Sequence, residues 1–150
     1  RLHDEGIGPF EVLEMRLLIE PEACALAARR MTQAQLDELG EVLAEMARSE
    51  HTPSMEQYDR RFHTTIARAT ENGAIESTVA WLWELRDHAE LNKMFHARII
   101  EEGIYPVLDD HKAIYAALVE RNAEQARDLM KHHLENATAA AATYFSDQDA

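Results

Sequence analysis

The stretch that decides the fold runs from Asp109 to Ala137, "DDHKAIYAALVERNAEQARDLMKHHLENA". Val107, His111, Ile114 and Leu118 follow one another at spacings of four, three and four, which is one face of an α-helix. Beyond Arg121-Asn122, Ala126, Met130, His133 and Ala137 repeat the pattern. The spacing predicts helices over about Val107–Glu120 and Ala123–Tyr144. Helices joined by so short a turn fold back on each other as antiparallel neighbours. Each has a histidine where leucine or isoleucine is expected.

Outward from this hairpin the chain continues in the same style. Gly8-Pro9 opens a first helix, since proline suits the first turn, and Val12, Leu13, Met15, Arg16 and Ile19 carry it. Pro21 is expected to end or kink that segment, with a second helix over about Glu22–Met31. Thr32 with Gln35 is a capping-box pattern and starts a third, striped by Leu36, Leu39, Val42, Leu43 and Met46. Ser54 with Gln57 predicts another capping box and a helix to about Thr70, stopped at Asn72-Gly73. A longer helix is expected from Ala74 as far as Phe95, before a seam at Gly103 and Pro106. Nothing alternates like a strand. The expectation is an all-α antiparallel bundle of six or seven helices.

Composition narrows the function. A chain of 150 residues is one domain by size, and 46% hydrophobic residues suffice for a core. Lys and Arg number 15 against 28 Asp and Glu, a net charge of −13. Such a domain repels phosphate backbones and is a poor nucleic-acid binder by itself. One cysteine, Cys24, excludes a cysteine-built metal site and reads as a small buried hydrophobe. No apolar run reaches membrane-span length and no signal peptide opens the chain, so no membrane partner and a cytoplasmic location are expected.

The candidate chemistry lies in polar residues on apolar stripes. His111 and His133 hold core positions, whereas His132, rotated by about 100°, shares a face with Gln125, Asp128 and Asn136. In the helix opened by Ser54, Asp59 and His63 are four apart and flank Phe62 and Ile66. Three imidazoles and a carboxylate from three helices suit a divalent ion, zinc first, with nickel, manganese and iron as the other candidates. The competing reading is ordinary: a neutral inward histidine satisfied by a hydrogen bond, and a surface Asp–His pair. Burying Asp59 without a cation or donor would cost several kcal/mol. Arg16 and Glu20 form an i,i+4 pair, with Arg16 either a structural ion-pair partner or an anion clamp. Arg86 can serve either way. Asn72 is a helix terminator or a hydrogen-bonding group aimed into a cavity. Trp81, Trp83 and Phe95 read as packing, and His3, His51, His88, His96 and His132 as solvated.

These features resemble the effector-binding C-terminal (FCD) domain of GntR-superfamily, FadR-type transcription regulators over nearly the whole chain. "FEVLEMRLLIEPEACALAARRMTQAQLDEL" has the family's Glu-x-Arg-x-x-x-Glu, and "YDRRFHTTIARATENGAI" carries Asp59, Phe62, His63 and Asn72 in the family's order. The 109–137 stretch adds His111, Met130, His133 and Leu134. The resemblance implies a FadR C-terminal-like bundle with Asp59, His63, His111 and His133 as metal ligands. It implies that Arg16 meets an acidic effector, with Asn72 and Arg86 as further effector contacts. It also implies a homodimer that reaches operator DNA through an N-terminal winged helix-turn-helix expected before Arg1 and absent from this chain. "WLWELRDHAELNKMFHARI" resembles the branch answering to sugar acids such as hexuronates, while other organic acids serve elsewhere in the superfamily.

Two other classes compete. A metal-dependent enzyme would need an acid or base at an open metal position. The chain has no H-E-x-x-H, and no Glu three residues before any His, which also argues against a di-iron bundle. The remaining alternative is a helical interaction domain with a purely structural metal.

Overall fold

The computed structural model describes residues 6–149 and places them in seven α-helices. These are α1 (Pro9–Arg30), α2 (Gln33–Arg48), α3 (Met55–Arg68), α4 (Gly73–His88), α5 (Glu90–Glu101), α6 (Leu108–Val119) and α7 (Ala123–Asp149). There is no strand among the described residues. No helix among them is long and apolar enough to cross a membrane. His3 lies outside the described residues.

Helix α1 begins as its sequence dictates. Pro9 stands in the first turn, and the Glu11 side chain returns to accept from Gly8 N at 3.2 Å. The break expected at Pro21 does not occur, because Pro9–Arg30 is one helix. A proline inside a helix costs about 3 kcal/mol or more. Here that cost is offset by burial on both sides of it: Val12 and Arg16 before, and Ala23, Cys24, Ala27 and Ala28 after, are all interior. Helix α1 packs chiefly along α7 and also meets α3, α4, α5 and α6, so it forms the spine of the bundle.

The Thr32 capping box forms as expected: Gln35 N donates to Thr32 Oγ1 at 3.1 Å, and Thr32 N to Gln35 Oε1 at 2.9 Å. Leu36, Leu39, Val42 and Met46 face inward. Gly40, in the middle of α2, has a packing reason: a Cβ there would stand 2.7 Å from the Tyr115 hydroxyl of α6. The Ser54 capping box does not form. Ser54 is itself in helical conformation (φ −61°, ψ −22°) after the turns of 52–55, so its hydroxyl makes no cap bond.

The single helix expected from Ala74 to Phe95 is two. Ala89 adopts extended backbone (ψ 136°), ending α4 and starting α5, which runs on to Glu101. Gly103, at φ 75°, then turns the chain toward α6. Arg121, at φ 58°, makes the tight α6–α7 turn, and Arg121 Nη1 donates to the carbonyl of Met31.

The main core joins α1, α2, α3, α6 and α7 through Cys24, Leu39, Met46, Phe62, Ile114, Leu118, Met130 and Leu134. Val79 and Trp83 of α4 close a smaller cluster with Ala67. Phe95 and Ile99 of α5 close another with Ala141 of α7. Among the described residues, Arg16, Glu20, Asp59, His63, His111 and His133 gather polar side chains inside the bundle.

Candidate metal centre and effector cavity

The apolar stripes of α3, α6 and α7 bring their polar members to a common point. Phe62 and Ile66 hold α3 in the core, which buries Asp59 and His63; Ile114 and Leu118 do the same for His111, and Met130 and Leu134 for His133. One ligand atom from each of Asp59, His63, His111 and His133 lies within 4.8 Å of every other, and all four residues are buried. The cluster could coordinate a metal ion.

The hydrogen bonds around the cluster sharpen this. His111 Nδ1 is 2.7 Å from the Val107 carbonyl, which can only accept, so Nδ1 carries the proton. A neutral His111 then turns its Nε2 lone pair toward Asp59 Oδ1 at 2.8 Å, an acceptor facing an acceptor. His63 repeats the arrangement, with Nδ1 at 2.6 Å from Glu20 Oε1 and Nε2 at 3.2 Å from the same Asp59 oxygen. His63 Nε2 is buried without a hydrogen bond. His133 Nδ1 donates to Asp110 Oδ2 at 2.8 Å. Every Nδ1 is thus assigned to an outer acceptor, the pattern by which metal-binding histidines are oriented. A cation among the three Nε2 atoms and Oδ1, or protonation of the imidazoles, removes the conflict. The donor set fits a divalent ion.

The electrostatics follow from burial and partners. Burial alone would raise the Glu20 carboxyl, but Arg16 and His63 outweigh it and hold it at about 2. Burial would also raise Asp59, but the imidazoles of His111 and His63 beside it outweigh that and carry it well below the usual carboxylate range. Burial, opposed by the bond to Asp110, lowers His133 to about 4. Burial would lower His63, but Glu20 and Asp59 outweigh it and raise it, so a metal must displace a proton there, since deprotonated imidazoles and ionised carboxylates are the forms that bind metal.

Arg16, Arg86, Asp59 and His133 all line one cavity of about 160 Å³. That is room for about five waters at ~30 Å³ each, hence for a small metabolite. Arg16 donates through Nε to Glu20 Oε2 at 2.6 Å, so one carboxylate links the guanidinium to His63. Arg86 pairs with Glu56 at 2.9 Å and Asp87 at 3.0 Å. Both guanidinium carbons sit over the Trp83 ring, 4.3 and 4.6 Å from its centroid. At that range the ring's negative face attracts both cations. Trp83 is fully buried and so packs as expected, but it also serves as a platform.

Asn72 is not brought to the cavity. It is exposed, and its Oδ1 accepts from Ala74 N at 2.9 Å and Ile75 N at 3.1 Å as the cap of α4. His51, His88 and His132 are exposed as expected, but His96 is not. It lines the cavity, its Nδ1 is buried without a partner, and burial followed by the charges of Arg86 and Arg16 drives it down to about 2. Sequence reasoning also passed over Glu56, Asp110 and the outer-shell part of Glu20. A usable signal existed for His96: it stands four residues after Asn92 and beside Phe95 and Ile99, all buried on α5.

A helical bundle with a four-residue Asp/His cluster beside a largely apolar cavity that holds two arginines has the make-up of an effector-binding domain, and the comparisons agree. The FCD domain model matches residues 11–136, and the chain belongs to that family, the sensor domain of GntR/FadR-superfamily regulators rather than a catalytic one. The chain is 34% identical over 129 residues to the "Exu regulon transcriptional regulator" of Escherichia coli (strain K12), covering 86% of this chain and 50% of that protein. It is 30% identical over 133 residues to the "Uxu operon regulator" of Haemophilus influenzae, covering 87% and 50%. The chain therefore spans about half the length of these curated relatives. A solved structure of Streptococcus agalactiae GntR superposes with a TM-score of 0.71 at 24% identity, covering 86% of this chain and 57% of that one, a likeness of fold.

Proposed function

We propose that this domain senses a small carboxylic acid, a sugar acid such as a hexuronate first and another organic acid second. In this reading the acid is held between a divalent metal and two arginines. The observation that carries the reading is the shared cavity: Asp59 and His133 of the cluster and the guanidinium groups of Arg16 and Arg86 line the same space. Asp59, His63, His111 and His133 would hold the ion, with zinc the first candidate for an imidazole-rich set and nickel, manganese and iron the others. Once bound, the ion supplies a Lewis-acidic centre for a carboxylate oxygen. Arg16 presents a planar fork suited to the remaining oxygen, and Arg86 adds a second positive charge.

The relatives are named as regulators of the Exu regulon and the Uxu operon, which supports a sugar-acid effector and a role in transcription. With those proteins about twice as long, we place the operator contact in a separate winged helix-turn-helix module N-terminal to this domain. Paired operator half-sites call for a homodimer.

The test is calorimetric titration of D-galacturonate or D-glucuronate into metal-loaded, metal-stripped and His111→Ala protein. Affinity confined to the loaded wild type supports an effector seated on the metal. Equal affinity in all three would make the ion structural, the reading favoured by four protein donors closing a tetrahedral shell.

A further inference from the structure

The cavity contains a polar atom that neither the metal reading nor the arginines use. His96 Nδ1 is buried without a hydrogen bond, whereas the buried Glu56 Oε2 has its partner in Arg86 Nη2, 2.9 Å away. Both side chains line the cavity beside Arg16 and Arg86. Buried polar groups in native proteins nearly always find partners, so His96 Nδ1, left without one at the cavity wall, points to a ligand that supplies it.

We infer that His96, with Glu56, reads hydroxyl groups of the effector, so that the cavity selects a polyhydroxylated monocarboxylic acid over a plain fatty acid or a dicarboxylic acid. The inference rests on the carboxylate-sensing reading above and names the residue that gives it specificity. A hydroxyl both donates and accepts. A neutral imidazole does the same through its two nitrogens, and burial together with Arg86 and Arg16 keeps His96 neutral at any physiological pH. The Glu56 oxygen can accept a second hydroxyl.

The alternatives fit worse. An aliphatic acid would seal the cavity and leave His96 Nδ1 desolvated and unpaired, a loss of roughly five- to hundredfold. A dicarboxylic acid would bring a second negative charge among Glu56, Asp59 and Asp110, which already line the same space. A single carboxylate can go to the metal and Arg16, leaving a hydroxylated body for the α4–α5 side. Leu13, Phe95 and Ile99 then cover the carbon skeleton.

The test compares metal-loaded wild type, His96→Leu and His96→Gln by calorimetry. The probes are three polyhydroxy acids (D-glucuronate, D-galacturonate and D-gluconate), hexanoate as the six-carbon acid without hydroxyls, and adipate as the dicarboxylate. Wild type should bind at least one polyhydroxy acid tenfold or more tighter than hexanoate and adipate. His96→Leu should weaken that acid by tenfold or more with metal content unchanged and hexanoate affinity not reduced. His96→Gln, which keeps a donor and an acceptor, should recover most of the loss. Wild-type preference for hexanoate or adipate overturns the inference, and that comparison stands even if a variant fails to fold. Polyhydroxy-acid binding that survives His96→Leu also overturns it while leaving the carboxylate sensor intact. No binding of any acid by wild type removes the sensor reading and this inference together.

Discussion

At the α3–α6–α7 end of the cavity each inward histidine has an acceptor for Nδ1: Glu20 for His63, the Val107 carbonyl for His111, Asp110 for His133. At the α4–α5 end, His96 Nδ1 has none. The first end is preorganised, with rings held from behind and Nε2 atoms left over at the centre. The second lacks its complement until something enters. Orientation from behind suits a permanent ligand such as an ion, because the rings cannot turn away when it leaves. Polar atoms left open toward a cavity suit an exchangeable one. The same imidazole is therefore used in two ways within one bundle, and the outer partner decides which.

The most damaging way to break the contrast is at the preorganised end. His111→Ala removes one donor and leaves Asp59 facing only His63. Metal affinity should fall tenfold or more, read by competition with a chromophoric chelator. Wild-type metal loading should raise stability by about 2.7 kcal/mol when free ion stands at 100 times its Kd, seen as a rise in Tm that the variant lacks. An unchanged Tm on stripping the wild type would show that the cluster holds no ion.

Glu20→Gln is a finer cut at the same end. It keeps a group that can accept from His63 Nδ1 but removes the charge shared between Arg16 and His63. Outer partners of metal ligands are worth about 10–100-fold in affinity, so a loss near the lower bound is expected. Because Arg16 loses its anion as well, acid affinity should change along with metal affinity. Metal affinity equal to wild type would show that Glu20 acts only as a structural partner of Arg16.

What the sequence revealed divides along the same line. His111 and His133 stood out because a stripe of Ile114, Leu118, Met130 and Ala126 made them anomalous on well-formed helices. Their outer partners did not, since Glu20, Asp110 and a backbone carbonyl become partners only through the packing of one helix on another. His96 read as solvated, one residue past the end expected for the helix from Ala74 to Phe95. The extended backbone at Ala89 resets the helical phase, and a residue's face on α5 cannot be carried over from α4. Pro21 misled in the opposite direction, since burial along α1 overrode the local rule. Six or seven helices were expected and seven form among the described residues, because one division too many at Pro21 and one too few at Ala89 offset each other.

Asn72 tests whether a residue of the resemblance belongs to the cavity or to the scaffold. The structure has it capping α4 through Ala74 N and Ile75 N. Asn72→Ala should cost about 1 kcal/mol of stability, as N-cap losses do, measured by denaturant unfolding. Metal and acid affinities should stay at wild-type values. A selective loss of acid affinity with stability preserved would return Asn72 to the effector site.

The smallest effect is expected at His132, and its size is what makes it informative. His132 and His133 are adjacent, of identical chemistry, and both accessible to any argument from composition. Only the helical phase separates them: His133 is buried against the cluster, while His132 is exposed with Asn136 Nδ2 3.1 Å from its Nε2. A surface contact of that kind is worth a few tenths of a kcal/mol, and surface substitutions stay within about 0.5 kcal/mol. His132→Ala should therefore leave Tm, metal affinity and acid affinity alike within error, whereas His133→Ala should lower metal affinity as His111→Ala does. If the two alanine variants lost metal equally, placement by stripe would be refuted at α7, and the register of that helix against α3 and α6 would have to differ from the one described.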